Sequence, residues 1–166
     1  MFSILRPFLF NLDPEIAHDL AIKSLKFNYL PSKMFAVENE QMLKEVIGRF
    51  SNASIRTSLF IDTSEKGIYA AALSGTNQIE LYTEDYAVKH KVIGEDAAIP
   101  YARAATLAHE LGLGINAGHD LDLSNLKDFA NNVPYLDEVS IGHALISDSL
   151  YFGLSNTVAK YLACLE

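Results

Sequence analysis

The spacing of apolar positions changes along the chain. From Asp13 to Leu30, apolar side chains recur at steps of three and four residues, which predicts an amphipathic helix opened by an Asp-Pro cap. A polar stretch, Glu38 to Gln41, indicates a linker before a second helical run from Met42 to Phe50. We therefore predict a helical leader over residues 1–43 and a second domain over residues 44–166.

In the second domain, short apolar runs alternate with helical patterns, which predicts βαβ units, a parallel sheet and the α/β class. The predicted strands are residues 55–61, 78–82, 114–117 and 138–141. The predicted helices are residues 64–73, 98–111, 123–130 and 147–165, the last of them broken at Gly153. Capping signals support two helix ends, the Asp-Thr-Ser-Glu sequence at residues 62–65 that opens the first helix and Gly112 after the second.

Charge and composition narrow the functional classes. A net charge of -8 repels phosphate backbones and argues against nucleic acid as a partner, although helix N-termini can still bind a small phosphate. Cys164 is the only cysteine, so no disulfide framework or thiolate zinc site can form within the chain. No apolar run approaches the roughly 20 residues that span a bilayer, and the start lacks a signal cleavage site. We expect a cytoplasmic protein that keeps its N-terminal segment.

Candidate chemistry lies at the ends of the predicted strands, where parallel sheets bind ligands. Glu80 lies within the second strand, and Gly-His pairs end the third and fourth strands at His119 and His143. A single histidine at a strand end is more often structural, but two at equivalent ends favour acid–base chemistry. A metal site built from His119, His143, Asp120 and Glu80 is the alternative, although these ligand types lack a motif spacing.

The other histidines and the tyrosines suggest structural roles. His90 is expected in a polar loop, and His109 on the solvated face of a helix. The tyrosines show no interleaving with basic residues, so we expect them to serve as packing and loop anchors. They are Tyr82, Tyr86, Tyr101, Tyr135 and Tyr151.

Four segments in order resemble the pyridoxine 5'-phosphate synthase family: Ile55–Asp62, Ile79–Thr83, Leu111–His119 and Val139–Ile146. The resemblance covers about residues 44–166 and implies the C-terminal half of a (β/α)8 TIM barrel. In that family 1-deoxy-D-xylulose 5-phosphate condenses with 3-amino-2-oxopropyl phosphate in vitamin B6 biosynthesis, without a metal or an organic cofactor. The implied partners are therefore phosphorylated small molecules.

The resemblance also implies roles for individual residues. His119 matches the general acid, and Glu80 matches a glutamate that stabilises charge in the transition state. Gly142 and His143 match a site for the phosphate of the amino ketone. Asp120 stands in the substrate-binding position where the family usually has glycine, and its carboxylate should weaken phosphate binding. The family's first four strands, with its two proton acceptors, have no counterpart in the matching segments.

The leader has a separate resemblance. Leu5–Ala21 is similar to the start of the membrane-associated, quinone-dependent dihydroorotate dehydrogenases, whose flavin-binding barrel has no match here. Two hypotheses follow. The chain is a synthase whose half barrel works as a homo-oligomer, or it is an inactive fusion remnant or an interaction protein that touches membranes through residues 1–30.

Overall fold

A four-stranded parallel sheet is the centre of the computed structural model, which describes residues 40–166. Its strands lie in sequence order, and each pairs in parallel with the next. They are Ser58–Ile61 (β1), Gln78–Tyr82 (β2), Gly114–Gly118 (β3) and Leu136–Ser140 (β4). The α/β prediction is confirmed, and the arrangement corresponds to part of a TIM barrel.

Helices precede and follow the strands. They are Glu40–Asn52 (α1), Glu65–Ser74 (α2), Glu84–Ile93 (α3), Ile99–Glu110 (α4), Leu126–Asn132 (α5), His143–Phe152 (α6) and Leu154–Ala163 (α7), with a 3-10 helix at Gly94–Ala98 between α3 and α4.

Local sequence explains several helix ends. The Ser64 hydroxyl accepts a hydrogen bond from the Gly67 N–H and caps α2, and Gly75 ends the same helix with φ +82°. Gly153, with φ +77°, separates α6 from α7, as the predicted break requires. Glycine adopts these left-handed conformations without the steric cost that a side chain would add.

Three predictions about individual segments were wrong. His90 is not in a loop: it lies on α3, where its Nε2 is 2.8 Å from Asp128 Oδ2 and its side chain is 14% exposed. The helical pattern of α3 was hidden because only Tyr86 among its residues is buried. Glu40 and Gln41, assigned to a linker, form the first turn of α1. Tyr151 does not anchor packing, because it is 83% exposed on α6, a helix with no buried residue.

The two faces of the sheet differ in character. One face carries the almost fully buried side chains Ile79, Leu81, Ile115 and Ala117. They belong to one buried core together with residues of α2, the 3-10 helix and α4, namely Ile68, Ala98 and Ala105. On the other face, one row runs across all four strands in register, Phe60, Glu80, Asn116 and Glu138. A polar row next to an apolar one is typical of a sheet whose second face lines a site.

No helix within residues 40–166 has both the length and the apolar character needed to cross a bilayer. The leader prediction falls largely on residues 1–39, outside the described part of the chain, whereas its proposed boundary, between residues 43 and 44, lies within α1.

Candidate active site

The residues predicted for the site lie on three neighbouring strands and on the segments that follow them. Glu80 is the central residue of β2, and His119 follows the last residue of β3. Gly142 and His143 follow β4, where Gly142 caps α6 and His143 is its first residue. The fold therefore places all of them along the polar face or at the carboxyl edge of the sheet.

The structure brings His119 and Glu80 into direct contact. The imidazole Nδ1 lies 3.1 Å from Glu80 Oε1, with the histidine side chain 62% exposed and the glutamate side chain 18% exposed. The approach is off the line of a hydrogen bond, so Glu80 Oε1 has no hydrogen-bond partner among the described residues although it is buried. The pair thus combines a solvent-accessible imidazole with a carboxylate of restricted access.

A second buried acceptor lies beside Glu80. Asn116 is its neighbour in register on β3, and the Asn116 Oδ1 is buried without a hydrogen-bond partner within the described region. Buried acceptors in folded proteins usually have a donor, so two adjacent unpaired ones mark a position that a ligand donor or a water can fill. The polar face around Glu80 is therefore suited to bind hydroxyl or amino groups.

The backbone at His119 is held in an unusual conformation. Its φ is +74°, in the left-handed region that non-glycine residues seldom occupy. The His119 N–H donates to the carbonyl oxygen of Ser140 on β4, at 2.9 Å. Strained backbone of this kind persists where surrounding contacts fix it, and it is concentrated at functional sites.

Asp120 occupies a constrained place beside this histidine. Burial raises the pKa of its carboxyl, the nearby Glu84 raises it further, and His119 lowers it. The Asp120 N–H points into the protein, 3.1 Å from the Gly118 carbonyl oxygen and 3.3 Å from the Thr83 hydroxyl. This N–H is therefore already engaged, which limits its use for a ligand.

The start of α6 is open. No atom lies within 4 Å of the position that a Cβ on Gly142 would occupy, and no side chain caps the helix. His143 is exposed. Free N–H groups at a helix start bind anions, so this segment can hold a phosphate next to the His119 strand.

The alternative of a metal site gains no support in the described part of the chain. Across residues 40–166, no three side chains of His, Cys, Asp or Glu are grouped so that they can hold a metal ion. The contact between His119 and Glu80 is a pair, which suits proton transfer better than metal binding.

Comparison with known proteins decides the family. The family model described as "Pyridoxal phosphate biosynthesis protein PdxJ" matches residues 34–166. The chain belongs to the PdxJ family. The resemblance predicted from the four motifs is confirmed for this part of the chain, and the resemblance of the leader to dihydroorotate dehydrogenase is not shown.

Individual proteins similar to this PdxJ-family chain support the family assignment. It is 55% identical over 130 residues to the pyridoxine 5'-phosphate synthase of Christiangramia forsetii, an alignment covering 78% of this chain and 55% of that protein. The synthase of Parabacteroides distasonis is 52% identical over 129 residues, covering 78% and 54%. That of Flavobacterium johnsoniae is 52% identical over 130 residues, covering 78% and 55%. The chain spans about half the length of these curated relatives.

Two residues that contact His119 or its turn were missed from the sequence. The Phe60 ring meets the His119 imidazole edge-on, with centroids 5.3 Å apart and an angle of 76° between the planes. The Thr83 hydroxyl contacts the turn that carries His119. Phe60 could have been found by pairing β1 with β2, because it is then the neighbour of Glu80. Thr83 left no pattern in the sequence, since both its partners are backbone groups 35 and 37 residues away.

Proposed function

We propose that this chain carries half of an active site for the pyridoxine 5'-phosphate synthase reaction, the condensation of 1-deoxy-D-xylulose 5-phosphate with 3-amino-2-oxopropyl phosphate. The observation that supports it is the 3.1 Å contact between His119 Nδ1 and Glu80 Oε1 at the carboxyl side of a parallel sheet. Family membership suggests the class of reaction. The contact between His119 and Glu80 suggests how these two residues take part in it.

His119 acts as the general acid in this proposal. The Glu80 carboxylate places a negative charge beside Nδ1, and the other ring nitrogen, Nε2, is the one that would face the substrate. From there the imidazolium can give a proton to a carbonyl or leaving oxygen of the substrate. Glu80 then stabilises positive charge on the ring while the proton is still present, and the edge of Phe60 restricts how the ring turns.

The phosphate of the amino ketone binds at Gly142 and His143 in this proposal. The open helix start provides N–H groups, and an exposed histidine adjoins them. Asp120 acts in the opposite direction, because its carboxylate repels a phosphate. Protonation removes that repulsion, so the raised pKa of Asp120 reduces its effect as the pH falls.

A second copy of the chain supplies the rest of the barrel in this proposal. The outer strands of the sheet are β1 and β4, and all strands run in parallel, so β4 of one copy can pair with β1 of another. Two copies then provide eight strands, the number in a TIM barrel. Phe60, on the polar face of β1, is 53% exposed and would be covered by such a partner.

Sedimentation of the full chain over a range of protein concentrations tests this assembly. We expect a dimer or a multiple of two copies, strengthened by added salt, because Glu80 and Glu138 of both copies would approach one another. A well-folded monomer at all concentrations would exclude the homo-oligomer. It would leave a different chain as the source of the other half.

An assay of synthase activity tests the proposed role of His119. The purified full chain is given both phosphorylated substrates, and the formation of pyridoxine 5'-phosphate is measured for the wild type, His119→Ala and His109→Ala. The control histidine is exposed and stacks on Tyr135, just before β4 and therefore at the opposite end of the sheet from His119. We expect activity that is lost only in His119→Ala. A folded, assembled wild type without activity would favour an inactive remnant instead.

For the leader, we propose that residues 1–30 contact membranes peripherally while the rest of the protein remains cytoplasmic. The support is the similarity of Leu5–Ala21 to membrane-associated dihydroorotate dehydrogenases. Flotation with liposomes of anionic lipid tests it. Binding that survives deletion of residues 1–30 would contradict the proposal.

A further inference from the structure

The hydroxyl of Thr83 does not cap the helix that follows it, although Thr83 stands at the N-cap position. Thr83 is the N-cap of α3, and its carbonyl oxygen accepts the Ala87 N–H at 2.9 Å. An N-cap threonine usually accepts a hydrogen bond from an N–H in the first turn of its own helix. Here no such side-chain bond forms, which costs α3 a stabilising contact.

The hydroxyl instead joins β2 to the turn after β3. Thr83 Oγ1 donates to the carbonyl oxygen of Gly118 and accepts from the N–H of Asp120 at 3.3 Å. These two residues flank His119 directly. Thr83 is fully buried, so water cannot replace either bond without a change in packing.

Other contacts fix both ends of this bridge. The Tyr101 hydroxyl donates to the carbonyl oxygen of Tyr82 at 3.0 Å, which holds the chain just before Thr83. On the other side, Asn125 Nδ2 donates to the carbonyl oxygen of Asp120 at 3.2 Å. The Thr83 hydroxyl therefore connects two segments that are each anchored separately.

The bridge formed by the Thr83 hydroxyl stabilises an unfavourable backbone conformation at His119. His119 has φ +74°, a left-handed conformation that is sterically unfavourable for an L-residue. The His119 N–H bond to Ser140 holds the turn from the β4 side, and Thr83 holds it from the β2 side. Without the hydroxyl, the turn can relax toward a more favourable φ, and the imidazole would move away from Glu80.

We propose that Thr83 is a positioning residue that keeps the His119 turn in its left-handed conformation and so keeps the imidazole against Glu80. Its consequence for catalysis rests on the proposed function, in which His119 is the acid. Its consequence for the geometry of His119 does not, because the position of the ring can be observed in a protein without activity.

The test compares Thr83→Val, which keeps the shape and removes the hydroxyl, with Thr83→Ser, which keeps the hydroxyl. Thr106→Val is the matched control, since its hydroxyl bonds the Ala102 carbonyl oxygen at 2.9 Å on the exposed side of α4. Imidazole resonances of His119 are recorded by NMR in the full chain, assigned with His119→Ala, and kcat and KM are measured for each variant.

We expect Thr83→Val to shift the His119 resonances and to lower kcat on the order of tenfold, with a smaller change in KM. In Thr83→Ser and Thr106→Val, the His119 resonances and kcat should stay close to those of the wild type. Unchanged His119 resonances in folded Thr83→Val would overturn the proposal. Equal shifts in Thr83→Ser would do the same, because they would show that His119 responds to any change at this position and not to the hydroxyl in particular.

Two further results are informative. If Thr83→Val does not fold, Thr83→Cys provides the same comparison with a weak donor, and failure of both to fold while Thr83→Ser folds would overturn a specific role at His119. If the wild type shows no synthase activity, the proposed function fails, whereas the resonances of His119 still decide whether Thr83 positions the ring.

Discussion

Gln78 on β2 reaches Glu138 on β4, across the whole width of the strand between them. The Gln78 Nε2 donates to Glu138 Oε1 at 3.1 Å, and an Arg56 guanidinium nitrogen donates to the Gln78 side-chain oxygen. The crossing is possible because Gly114, the residue of β3 in register with Gln78, has no side chain. This polar chain ties three segments together at the end of the sheet away from His119.

Replacing Gly114 with alanine should weaken this connection. The added Cβ would lie 3.0 Å from Asp137 Oδ2 and 3.1 Å from the Gln78 Cβ, so both side chains must move. We expect a loss of about 1–2 kcal/mol in the free energy of unfolding, measured by urea denaturation. Gly48→Ala is the control: it lies in α1 with nothing within 4 Å, and a gain of up to about 1 kcal/mol is expected. An equal gain at Gly114 would contradict this account.

Gly118 should tolerate no side chain at all. A Cβ there would overlap the carbonyl oxygen of Ser140 and lie 3.0 Å from its carbonyl carbon, and backbone atoms cannot move aside easily. We expect Gly118→Ala to disrupt β3 against β4 and to displace the His119 N–H bond to Ser140. The measurement is amide hydrogen exchange at His119, which should be much faster in the variant than in Gly48→Ala. Unchanged protection would show that the close approach is not needed.

The strands and helices that could be predicted from the sequence were those marked by a pattern of neighbouring residues. Residues 78–82 were predicted as a strand with the bounds that β2 has, because an apolar pattern lies between clear turn signals. The fourth strand was predicted to begin two residues late and to end one residue late, since β4 contains Asp137 and Glu138 side by side at the edge of the sheet. The 3-10 helix and α3 were missed because few of their residues are buried.

In the candidate site, too, features that depend on residues far apart in sequence could not be predicted. The sequence placed Glu80 in the second predicted strand and His119 at the end of the third, but their 3.1 Å contact was not predicted. The positive φ of His119 and the role of Thr83 were not predictable, because both depend on backbone atoms of strands far apart in sequence.

Glu80→Gln should reduce synthase activity while preserving the fold. The amide has nearly the same shape as the carboxylate but cannot stabilise the protonated imidazole 3.1 Å away. We expect kcat to fall on the order of a hundredfold, with a smaller effect on KM, in steady-state assays of the full chain. Glu138→Gln serves as the control, because Glu138 contacts Gln78 on the same face but not His119. Equal losses in the two variants would indicate a general effect of charge on that face.

Stability should fall as the pH rises from about 10 to 12. A hydrogen bond to Glu84 and burial raise the pKa of Tyr82 to about 12, and burial raises the pKa of Tyr101 to about 12. The native state then keeps protons that the unfolded chain loses above pH 10, so the stabilisation is complete below pH 10 and is lost toward pH 12. Urea unfolding at several pH values should show a smaller decline in Tyr82→Phe. An identical decline would mean that Tyr82 does not contribute.

The most direct measurement is the specific rate of pyridoxine 5'-phosphate formation by the full chain as a function of protein concentration, for the wild type and for His119→Ala. The account predicts that the wild-type rate per chain rises with concentration until assembly is complete, and that His119→Ala is inactive throughout. An assembled, folded wild type that forms no product, or a His119→Ala variant as active as the wild type, would contradict it.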